Sequence, residues 1–144
     1  MPLGQTIPAL PVQDMAVAVK WYADKLGFTA GFADQEFAVL RRDDSVIHLW
    51  LAADDSWKHR TLLGQRPIES GAESFLAGTA SCRIQVSGTG MLDRLSEELA
   101  AAGVLHGCQS SPQTTDFGAR EFHAVDLEGN LFGFFEWVDP APTL

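Results

Sequence analysis

Residues 36–51, EFAVLRRDDSVIHLWL, and residues 121–136, EFHAVDLEGNLFGFFE, constrain the fold more than any other feature of the chain. They stand 85 positions apart, counted from Glu36 to Glu121, and align at that offset without a gap. Each opens on Glu-Phe, runs through apolar residues to a polar turn and then resumes apolar. That is the pattern of a β-hairpin with one buried face. Two hairpins of one design in a single chain indicate a duplicated fold.

The flanking segments repeat in the same order. Residues 7–12, IPALPV, read as a first strand, which Pro8 and Pro11 confine to a sheet edge or end. Asp14 supplies an N-cap, and Met15, Val19, Tyr22 and Leu26 recur at helical spacing until Gly27 closes the helix. Residues 28–32 form a second strand, Asp34 and Gln35 a turn, and the hairpin adds strands three and four. The order restarts near Thr79. A strand over 81–86 is followed by a helix with Leu92, Leu95 and Leu99 on one face and Gly103 at its end. A short strand over 104–106, a polar loop over 107–118 and the second hairpin complete the repeat. The fold class is therefore α+β: one domain of two tandem β-α-β-β-β modules whose curved mixed sheets would surround a cup. Module 1 covers about 5–53, a linker with Trp57 and His59 about 54–78, and module 2 about 79–138, before a short tail.

Strand alternation predicts which residues face the cup. Matching Val12 to Val86 sets the first strands 74 positions apart, with Ile7 opposite Ser81, and the hairpins set His48 opposite Gly133. Ile47, Leu49 and Leu51 form an all-aliphatic face suited to the helix. Val46, His48 and Trp50 are then expected on the cup side, as are Leu131, Gly133 and Phe135. A three-residue loop with Gly129 at a left-handed bulge would bring His123 beside Gly133. Phe32, Phe37, Trp50, Trp57, Phe117, Phe122 and Phe135 collect at the cup or its rim, with Phe122, Phe132 and Phe134 the first to be assigned to the core. Phe32 and Phe37 bracket Asp34 and Glu36, so flat rings alternate with negative charge. That combination suits a cationic aromatic ligand.

The net charge of -9 and pI near 4.7 oppose binding to the phosphates of nucleic acid. No apolar run approaches the roughly 18 residues of a membrane span, and MPLGQTIPAL lacks the form of a secretory signal. A cytoplasmic protein is expected. Cys82 and Cys108 show neither CxxC nor zinc spacing and are expected to be free thiols. There is no Gly-rich phosphate loop, no Ser-His-Asp pattern and no cysteine beside an obvious base, so no catalytic residue is assigned.

The stretches PALPVQDMAVAVKWYADKLGF, VIHLWL, GAESFLAGTASCRIQV and FGAREFHAVDLEGNLFGFFE cover most of the chain. In their order and spacing they resemble the vicinal-oxygen-chelate superfamily and, within it, the bleomycin resistance protein group. The resemblance implies paired β-α-β-β-β modules. Metalloenzymes of the superfamily hold a divalent ion through one residue on each first and each last strand, positions that carry over to Ile7, His48, Ser81 and Gly133. Only His48 is a good ligand where about three are needed, so no metal and no cofactor is expected. The implied function is non-enzymatic sequestration of bleomycin-like cationic glycopeptides, in a groove shared by two chains of a homodimer. By the resemblance, Phe32, Phe37 and Phe117 contribute to that groove, and Pro8 stands where the group has a hinge-like proline for arm exchange. The expected ligand-binding set is Phe32, Asp34, Glu36, Phe37, His48, Trp50, Phe117 and His123. Arg83 stands where another large aromatic would suit the groove, and it opposes a cationic ligand unless Glu36 or Glu121 pairs with it. The alternatives are a metal-dependent enzyme of the superfamily (a glyoxalase-like lyase, dioxygenase or thiol transferase) with His48 and His123 in an atypical site, or a binder of another aromatic small molecule.

Overall fold

The computed structural model describes residues 2–52, 80–107 and 111–138. The expected linker with Trp57 and His59, Cys108 and the tail from 139 lie outside these residues. The chain divides into two units, Met1–Ala80 and Ser81–Leu144.

Unit 1 runs β1 (Ala9–Val12), α1 (Met15–Trp21) continuing as a π-helical turn over Tyr22–Leu26, β2 (Thr29–Ala33), β3 (Phe37–Arg42) and β4 (Ser45–Leu51). Unit 2 runs β5 (Ser81–Gln85), α2 (Met91–Ala102), β6 (Gln113–Thr114), β7 (Ala119–Val125) and β8 (Leu131–Trp137). The sheets have orders β1-β4-β3-β2 and β5-β8-β7-β6. In each, the first strand lies parallel to the last and the remaining pairs are antiparallel. Two β-α-β-β-β units are thus present.

Helix α1 starts where the Asp14 carboxylate accepts a hydrogen bond from the Val17 N–H at 3.1 Å, satisfying a donor that the first turn leaves unpaired. It stops at Gly27, whose φ of 71° is the left-handed cap that a side chain would strain. Between these limits Met15, Ala18, Tyr22 and Leu26 are buried, on the side of a sheet face made of Leu10, Val12, Ala38, Leu40, Ile47 and Leu49. Slipping one strand by one residue would expose its share of that face at about 1.5–3 kcal/mol per large aliphatic side chain, so the register is firmly held. The first strand begins at Ala9 rather than at Ile7, which is exposed and lies before it. As an edge strand, β1 tolerates Pro11.

The two hairpins differ by one residue. In unit 1 Arg42 pairs with Ser45 across the two-residue turn Asp43-Asp44, with Asp43 at φ 51°. In unit 2 Val125 pairs with Leu131, and the Asp126 N–H donates to the Asn130 carbonyl at 3.0 Å. That leaves the expected three-residue loop, with Gly129 at φ 93°. Asp126 fastens this loop: Oδ1 accepts from the N–H groups of Glu128 and Asn130, and Oδ2 from the Asn130 side-chain amide, each at 2.8 Å. The gapless match of the hairpins is therefore corrected. Trp50 and Phe135 are equivalent at 85 positions, but their partners Phe37 and Glu121 are equivalent at 84. The offset of 74 between first strands holds, since Ala9 pairs with His48 as Arg83 pairs with Gly133.

In unit 2 Leu92, Ser96 and Leu99 of α2 are buried. Phe122, Phe132 and Phe134 form stacked core rings, with centroids 5.2 Å (Phe122–Phe134) and 6.1 Å (Phe132–Phe134) apart. Arg120 ties helix to sheet through both Asp93 carboxylate oxygens (2.9 and 3.2 Å) and Glu136 (2.7 Å). The expected polar loop over 107–118 contains β6, so it too is corrected. Val104 accepts from the Val125 N–H, the His106 N–H donates to His123, and farther along Gln113 and Thr114 pair with Glu121 and Arg120. The strand beside β7 is thus interrupted rather than short.

Candidate functional site

On the face of sheet 1 opposite α1, register builds an aromatic cluster. Phe37 lies opposite Trp50, and Val39 opposite His48. Phe37 is its centre, with ring centroids 4.9 Å from His48, 5.0 Å from Trp50 and 6.1 Å from Phe32. The interplanar angles of 83°, 57° and 43° are edge-on and tilted, as aromatic quadrupoles favour. Phe32 reaches this face because β2 carries a bulge. Ala30 pairs with Leu40, whereas Phe32 pairs with Val39; without the extra residue, Gly31, Phe32 would turn toward α1. Phe32 remains 52% exposed.

The adjacent turn is acidic and built by its own carboxylate. Asp34 Oδ1 accepts from the N–H groups of Glu36 (2.8 Å) and Phe37 (2.9 Å), and the Asp34 N–H donates to the Phe37 carbonyl. Asp34 therefore shapes the turn, and Glu36, which precedes Phe37 in the chain, stands exposed. A depression of about 820 Å³ opens between the start of α1 and this turn, lined among others by Asp14, Met15, Val19, Asp34 and Leu51. None of the four clustered rings lines it.

The corresponding face of sheet 2 is charged as well as aromatic. His123 and Arg83 flank Gly133, while Glu121 and Gln85 flank Phe135. The Arg83 guanidinium carbon lies 4.6 Å from the Phe135 ring centroid, and Nη1 lies 2.9 Å from Glu121 Oε2. That approach is not aligned as a hydrogen bond, so the buried Oε2 is held by charge alone. Phe135 and Trp137 meet edge-on at 5.3 Å. Phe117 stands exposed in the turn before β7.

The expected site residues thus fall into two groups. Phe32, Asp34, Glu36, Phe37, His48 and Trp50 come together on unit 1, while His123 and Phe117 belong to unit 2. Cys82 faces the other way, toward the core of unit 2. Burial and then the neighbouring Asp126 charge push its thiol up to about 12, which removes it as a nucleophile at neutral pH.

The family model described as Glyoxalase/Bleomycin resistance protein/Dioxygenase superfamily matches residues 4–134. The chain belongs to this superfamily. The bleomycin resistance protein of Geobacillus stearothermophilus is 42% identical over 134 residues, covering 93% of this chain and 97% of the relative. The bleomycin-binding protein of Streptomyces verticillus, solved with copper(II)-bleomycin, superposes with a TM-score of 0.65 at 24% identity, covering 93% of this chain and 96% of that one. A glyoxalase/bleomycin resistance protein/dioxygenase from Nocardioides gives 0.63 at 20% identity, covering 100% and 92%. Both the superfamily and the group expected from the four sequence stretches are borne out.

The superfamily's four metal positions fall on Ile7, His48, Ser81 and Gly133 of this chain. Ile7 lies outside the first strand, and Gly133 offers no side chain. A Cβ built on Gly133 would stand 3.3 Å from Arg83 Nη1 and 3.5 Å from His123. With Ser81 at the third position, His48 is alone as a strong ligand, and these residues do not fit a divalent ion held in the superfamily manner. Among the described residues no three His, Cys, Asp or Glu side chains converge as a ligand set. Nor is any described helix long and apolar enough to cross a membrane. Trp137 was missed from sequence, although the alternation that places Phe135 on the outward face extends to it.

Proposed function

We propose that this protein binds a bleomycin-like glycopeptide, cationic and metal-chelating, and keeps it from DNA without altering it. The relationship to a bleomycin resistance protein at 42% identity over 93% of the chain supports this reading. The observation that carries it is the cluster of Phe32, Phe37, His48 and Trp50, with the acidic turn of Asp34 and Glu36 joining the strands of Phe32 and Phe37. Rings that half-emerge from a rigid sheet offer stacking area with little ordering cost, and the acidic rim attracts a cationic tail. The protein then acts in the cytoplasm as a homodimer with two equivalent grooves, to which His123 and Phe117 also contribute.

Isothermal titration with bleomycin, alongside a DNA-cleavage assay at drug concentrations near the protein concentration, tests the proposal. Heat of binding with protection of DNA is expected. Phe32→Ala and Phe117→Ala should each weaken binding by about tenfold or more, as loss of an exposed aromatic anchor does. No heat and no protection would overturn the drug assignment.

A further inference from the structure

Next to His123, the outward face of sheet 2 holds a contact between Arg83, Phe135 and Glu121 to which the drug assignment gives no role. The Arg83 side chain lies along the sheet. Its stem crosses Gly133, where a Cβ would meet Cγ at 3.5 Å and Nη1 at 3.3 Å, and its guanidinium rests 4.6 Å above the Phe135 ring. From there Nη1 reaches Glu121 Oε2 at 2.9 Å. An aromatic face and a partly buried carboxylate are together the elements that recognise an organic cation. Here a cation from the same chain fills them. The fit is incomplete: Glu121 Oε2 is buried yet receives no hydrogen bond, and the Arg83 side chain remains 46% exposed. Its guanidinium is a tethered occupant, ion-paired to Oε2 without an aligned hydrogen bond.

We propose that Phe135 and Glu121 form a subsite for an alkylguanidinium or alkylammonium group, and that Arg83 plugs this subsite in the unliganded protein. A ligand with such a group displaces Arg83, donates to Glu121 Oε2 and stacks on Phe135, while the released guanidinium regains full hydration. Arg83 thereby sets a threshold. Only cations that donate to Oε2 better than Arg83 does, or that are anchored elsewhere on the protein, gain entry. The inference does not depend on bleomycin being the ligand.

Agmatine, which carries both cationic groups on one chain, is the probe, and butylurea is its uncharged counterpart. Titrations of the full chain compare wild type with Arg83→Ala and Arg83→Gln, each checked for native near-UV dichroism; the glutamine retains much of the stem if the alanine variant does not fold. Removing the plug should tighten agmatine binding by about tenfold, the scale of one desolvated cation-aromatic contact with its ion pair. Butylurea should show no gain. Adding Glu121→Gln or Phe135→Leu to the unplugged protein should erase the gain for agmatine. Binding no tighter than wild type in the folded variants, or a gain that survives both second substitutions, would overturn the proposal. Because the drug is absent from these titrations, failure here is distinct from failure of the drug assignment.

Discussion

Replacing Asp126 with alanine removes the acceptor of three hydrogen bonds of 2.8 Å in the β7–β8 loop, two of them to Asn130, which is fully buried. The Asn130 peptide N–H and side-chain amide would each lose this acceptor within the fold, at about 1–3 kcal/mol apiece. The Glu128 N–H, nearer solvent, costs less. Some of this loss is offset because the buried carboxylate no longer has to be desolvated. A net loss of about 3–5 kcal/mol follows, on the order of 10 °C in melting temperature for a chain of this length. Asp126→Asn separates the contributions. Its retained oxygen can still accept from both peptide groups, while its amide faces the Asn130 amide donor to donor, so its loss should be smaller, about 1–2 kcal/mol. Urea unfolding followed by circular dichroism measures both variants against wild type, with an unchanged denaturant slope showing that stability alone has moved. An alanine variant within about 1 kcal/mol of wild type, or an asparagine variant as costly as the alanine, would refute the role assigned to this carboxylate.

Two further outcomes follow from charge and burial. The Cys82 thiol, pushed up to about 12, should resist a disulfide reagent at pH 8 in a Cys108→Ser protein and react at the rate of opening, with denaturant removing the protection. Since its folded value lies above the ordinary 9.0, the stability linked to this thiol is complete below pH 9 and declines as pH rises toward 12. Asp93 behaves in the opposite sense: its hydrogen bonds from Arg120 hold the carboxyl below the usual 3.8. The advantage of wild type over Asp93→Asn should be present above pH 3.8 and vanish as pH falls through the lowered folded value; a difference unchanged in acid would contradict the pairing.

Much of the fold was legible because it is written in apolar alternation. The aliphatic run of Ile47 and Leu49 against the outward His48 and Trp50 specified both faces of β4, and Asp14 and Gly27 marked the ends of the first helical segment. What escaped was set by single residues or by backbone alone. The bulge at Gly31 changes the direction of Phe32 without disturbing its composition. Gln113 and Thr114 join the sheet through peptide groups, for which exposed polar side chains give no signal. Arg83 was legible as an intruder in an aromatic groove, but its path depends on the space above Gly133 and the ring of Phe135, which no local pattern encodes.

The extra residue in the second hairpin acts as a parity switch. Because strand side chains alternate, one residue more or less in that loop decides which half of β7 meets the solvent. With the loop as it is, Glu121 and His123 point outward while Phe122 and Ala124 are buried. A two-residue turn like Asp43-Asp44 would invert the strand, presenting a phenylalanine outward and driving a carboxylate toward α2. Duplicated modules can therefore diverge in surface chemistry through one insertion, with the ladder of backbone hydrogen bonds preserved and no substitution on the strand itself.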